Sequence, residues 1–74
     1  MSFKEYTQDK LWPVLVETVH SLVMFPSHKG YTRSVILPEK PDIKPQELAL
    51  RLQISLGEAV VILYELDEER KISP

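Results

Sequence analysis

Cysteine is absent from the 74-residue chain, which removes disulfide frameworks and thiolate zinc sites in one step. An excess of positive charge is absent too. Nine Lys and Arg stand against eleven Asp and Glu, for a formal charge of −2, so no overall field draws a nucleic-acid backbone. Glycine is scarce, with two residues. Gly30 after Lys29 reads as a turn glycine, because a phosphate-cradling loop needs more glycines and a following helix. Long apolar runs are missing: Ala59–Tyr64 falls far short of the roughly 20 residues that span a bilayer. Met1–Lys10 is polar and carries both signs of charge, unlike a signal peptide. No internal repeat or low-complexity tract is present. These absences point to a cytoplasmic protein that neither enters a membrane nor relies on covalent staples.

Apolar residues make up 43% and charged residues 27% of the chain, a globular composition rather than that of a disordered tail. A chain this short buries roughly 60% of its extended surface. The sequence therefore predicts a single domain over residues 1–74, of modest stability, with residues 1–8 as an extended N-terminal arm.

Leu11, Trp12, Leu15, Val16, Val19, Leu22 and Val23 share one broad arc when plotted at helical periodicity, opposite Glu17, His20 and Ser21. This predicts a helix opened by Asp9 as N-cap, with Pro13 tolerated in the first turn and Pro26 closing it at Phe25. Trp12 then belongs to the core. After a turn at Ser27–Gly30, Tyr31–Leu37 alternates. Tyr31, Arg33, Val35 and Leu37 lie on one side and Thr32, Ser34 and Ile36 on the other, and the aromatic and β-branched content favours a strand. Pro38, Pro41 and Pro45 bracket an irregular connector.

Two tightly joined helices follow. Pro45 suits a first helical position and Glu47 the positive end of the helix dipole. Leu48 and Leu52 form the buried edge, flanked by Ala49 and Leu50. Ser55-Leu-Gly-Glu58 is a capping box. It opens a second helix, to about Arg70, whose core stripe is Ala59, Ile62, Leu63 and Leu66.

The stretch from Glu47 to Leu66, ELALRLQISLGEAVVILYEL, continuing DEERKI to Ile72, resembles the helix-turn-helix of the winged-helix superfamily. It shares that group's Glu-Leu-Ala opening, apolar-Ser step and leucine-anchored second helix. The resemblance implies an α+β, mostly helical fold. It would have three helices, a helix-turn-helix at about 45–70, a short strand at about 31–37, and no complete wing, since only Lys71–Pro74 remain. The strand's partner is left open between Phe3–Tyr6, Lys71–Ile72 and another molecule. Gln53 stands where glycine often allows a left-handed turn, so strain of about 1 kcal/mol is expected there.

The resemblance would give base reading to the outward face of the second helix, at Leu56, Gly57, Glu58, Val60, Val61, Tyr64 and Glu65. None of these supplies the donors that bases and phosphates favour. Five acids against one base between Ser55 and Arg70 would repel phosphate. Leu56, Gly57, Val60, Val61, Tyr64 and Glu65 read better as an apolar protein-interface centre with an acidic border. The other possibility is that the N-terminal helix wraps over Val61 and Tyr64. The expected role is a non-enzymatic protein-interaction module: an adaptor, a small complex subunit or a homodimer. The alternative is a small DNA-binding regulator touching mainly phosphates through Lys29, Arg33, Lys40, Lys44 and Arg51. Catalytic chemistry finds little purchase. His20 and His28 have no carboxylate at ligand spacing, no triad is assembled by the sequence, and Asp67–Glu69 reads as an exposed helix end. No cofactor, metal or small-molecule substrate is expected.

Overall fold

The computed structural model describes residues 3–72, and every regular element among them is helical. In chain order these are α1 (Lys4–Thr7), α2 (Trp12–His20), α3 (Phe25–Tyr31), a π turn (Thr32–Ile36), α4 (Leu37–Glu39), α5 (Pro45–Leu52) and α6 (Leu56–Ile72). The expected α+β class is thereby overturned, and with it the strand at 31–37 and its open pairing. The segment expected as an extended arm instead contains the single helical turn α1.

The departures begin at Pro26. Inside a continuous helix its ring would meet the carbonyl four residues back and one hydrogen bond would be lost. The chain breaks earlier instead. α2 ends at His20 with tightened bonds, as Ser21 N–H donates to Thr18 O at 3.1 Å and Leu22 N–H to Val19 O at 3.0 Å. Pro26 then falls in the first turn of α3, where a missing N–H costs little. From Phe25 the helical run passes through the π turn into α4 without leaving right-handed backbone angles. Thr32 Oγ1 donates to His28 O at 2.8 Å. Phe25, Thr32 and Ile36 are buried while Ser34 is exposed, which is helical spacing. A strand would have turned Ser34 inward beside Thr32 and Ile36. Residues 32 and 36 lie four apart, a separation that suits either period, and this is why alternation misled.

The second half follows expectation more closely. Pro45 lies in the first turn of α5, and Leu48 is fully buried while Leu50 is exposed. Ile43, in the connector, is also buried. Gln53 adopts φ 56°, ψ 46°, the left-handed conformation foreseen for it, and the N–H groups of Gln53 and Ile54 both donate to Ala49 O. Ser55 Oγ accepts the Glu58 N–H at 3.1 Å, so that half of the capping box forms. The Glu58 carboxylate meets His28 instead.

Glu58–Leu63 and Leu66 of α6 are all buried. α5, α2 and α3 pack around this helix, and Trp12, Leu15, Val16, Leu52 and Ile54 complete the core. No helix among the described residues is long and apolar enough to cross a membrane.

Two substitutions at the α5–α6 junction should move stability in opposite directions in denaturant melts. Ser55→Ala should lose about 1 kcal/mol with its cap, and Gln53→Gly should gain up to about 1 kcal/mol by relieving the left-handed backbone.

Candidate functional site

The face of α6 expected to meet a partner is instead inside the molecule. Val61 is 0% exposed and Val60 2%. Gly57 lies so close to α2 that a Cβ built on it would come within 2.9 Å of Leu15 Cδ1. Tyr64 takes the rings of Trp12 and Phe3 edge-on, with centroids 5.2 and 5.7 Å away. Glu65 accepts from His20 and Lys29. Among Leu56, Gly57, Val60, Val61, Tyr64 and Glu65, Leu56 alone remains exposed. The physical reason is that α6 carries apolar residues on every side of its first half, so one neighbour cannot cover it. α2 and Phe3 straddle the side that α5 leaves bare.

The acids and bases that framed the question about DNA bond to one another. Along α6, Glu58, Glu65 and Glu69 face His28, Lys29 and Arg33 of α3 and its continuation. His28 Nδ1 stands 2.6 Å from Glu58 Oε2, and His20 Nε2 lies against Glu65 Oε2. Lys29 bridges Glu65 at 3.0 Å and Glu69 at 2.5 Å, and Arg33 reaches Glu69 at 3.0 Å. Buried Glu58 needs such a partner, since an unpaired carboxylate in the core is costly. Hydrogen bonding by Lys29 holds the Glu69 carboxyl below its ordinary value, with Arg33 adding to the effect. Burial by itself would lower the Lys29 ammonium, but its bonds to Glu69 and Glu65 outweigh that and raise it.

Of the proposed phosphate contacts, Lys29 and Arg33 are therefore committed to this seam, and Lys40 pairs with Glu47 at 2.8 Å. Lys44 and Arg51 stay exposed at the two ends of α5. No grouping of three His, Asp or Glu that could hold a metal occurs among the described residues.

Exposed apolar side chains are spread over the surface, Leu50 and Ile72 among them, and several fall between Leu11 and Met24. Leu11 is 68%, Val14 57% and Val23 91% exposed, and Leu22 and Met24 are also open. They run along the outer side of α2 and through the turn into α3. Beside them a shallow groove is lined by Tyr6, Leu11, Trp12, Val14, Leu15 and Thr18, with Glu5 and Asp9 at its edge. Reading one arc of α2 placed Leu11, Leu22 and Val23 in the core. The warning lay in Val14 and Thr18, which share a side with Leu11 and Leu22. α2 is apolar on two sides, and α6 with the core takes only the side that carries Trp12, Val16 and Val19. No known protein family, curated protein or solved structure matches the chain.

Val61→Ser should cost about 2–4 kcal/mol in denaturant melts, because it opens a gap and strands a hydroxyl in the core. An unchanged melt would mean that Val61 faces solvent. The α3–α6 seam should also contribute to the acid limb of stability. Glu69, with its pKa lowered in the folded state, stabilises above its ordinary value of 4.5, and that contribution is lost as pH falls through the lowered folded value. Lys29, raised above 10.5, contributes below that value and is lost as pH rises through its folded value. Thermal melts should therefore fall off below about pH 4.5, and Lys29→Met should flatten that limb relative to wild type.

Proposed function

We propose that this chain is a non-enzymatic docking domain, a small subunit or adaptor. In this reading it meets protein through the outer side of α2 and the Leu22–Met24 turn. The observation that carries the reading is the row of open side chains at Leu11, Val14, Leu22, Val23 and Met24. Each would be better satisfied out of water, at about 25 cal/mol for every Å² removed. Open apolar side chains gathered on a small domain often mark a contact site. The enclosing helices α2, α3, α5 and α6 supply a rigid back for it, held by the aromatic cluster of Phe3, Trp12 and Tyr64.

The α5–turn–α6 pair that resembles a helix-turn-helix serves in this reading as scaffold rather than as reader. To enter a groove of DNA, the first half of α6 would have to shed α2 and Phe3. Three of the five cations offered for phosphate contact already hold carboxylates. The DNA-binding alternative is correspondingly weaker.

A photo-activated crosslinking residue placed at Val14 or Val23 tests the proposal directly in cells. A discrete crosslinked protein species is expected from both positions, and none from Ser34, which is exposed on the far end of the α3 run. Equal labelling at all three positions, or none from a folded variant, would overturn the assignment.

A further inference from the structure

We draw no further inference here: the strongest candidate, the shallow groove between α1 and α2 lined by Tyr6, Leu11, Trp12 and Val14, belongs to the docking surface already described, and nothing in the structure shows what covers it.

Discussion

A helix that is apolar on all sides cannot rest against a single neighbour, because any side left open keeps hydrocarbon in water. The first half of α6 is such a helix. Val60, Val61, Ile62 and Leu63 are consecutive and all buried, so they point around the whole circumference. The remaining elements are arranged by that demand. α5 is brought against one side by the short left-handed turn at Gln53. α2 covers another, with Leu15 over Gly57 and Trp12 over Tyr64, and α3 closes the third. Phe3 then fills the remaining gap beside Tyr64.

Enclosure creates an electrostatic problem, since Glu58 lies among the buried residues. The chain answers it with His28 of α3, whose Nδ1 meets the Glu58 carboxylate. The His28–Glu58 contact continues outward into the pairs of Lys29 and Arg33 with Glu65 and Glu69. The Arg33–Glu69 pair is open to solvent and worth little by itself, whereas Lys29 and Glu65 are mostly covered. Their joint effect is orientation, because they require α3 to run along α6 in one register. They also explain why a chain with nine cations has so few to offer a polyanion.

The same enclosure accounts for the open side of α2. This helix has only nine residues, and its inward residues Trp12, Val16 and Val19 are committed to α6 and the core. Leu11, Val14 and Leu22 stay partly open, with Glu5 and Tyr6 of α1 lining a shallow groove beside Leu11 and Val14. What remains outside is therefore a consequence of which side α6 needed, and it is there that a contact with another surface has most to gain.

Much of the local structure was legible without coordinates, wherever the deciding interaction lies within a few residues. The Ser55 cap, the Pro45 start of α5, the left-handed Gln53 and the leucine edge of α5 are of this kind. The connector's buried Ile43 and the helical state of 31–37 were not. A separation of four between Thr32 and Ile36 fits a strand or a helix equally, and only α6 lying alongside tells which. The sides of α2 and α6 were likewise ambiguous, because both helices are apolar around more than one arc. Local sequence determined that such arcs exist and where α5 and α6 begin, whereas the helix expected from an Asp9 cap to Phe25 runs only from Trp12 to His20. Which arc is buried depends on competition among all helices for one small core, and the tertiary packing decided it: burying Val61 and Tyr64 under α2 satisfied α6, and left Val14 and Val23 in water.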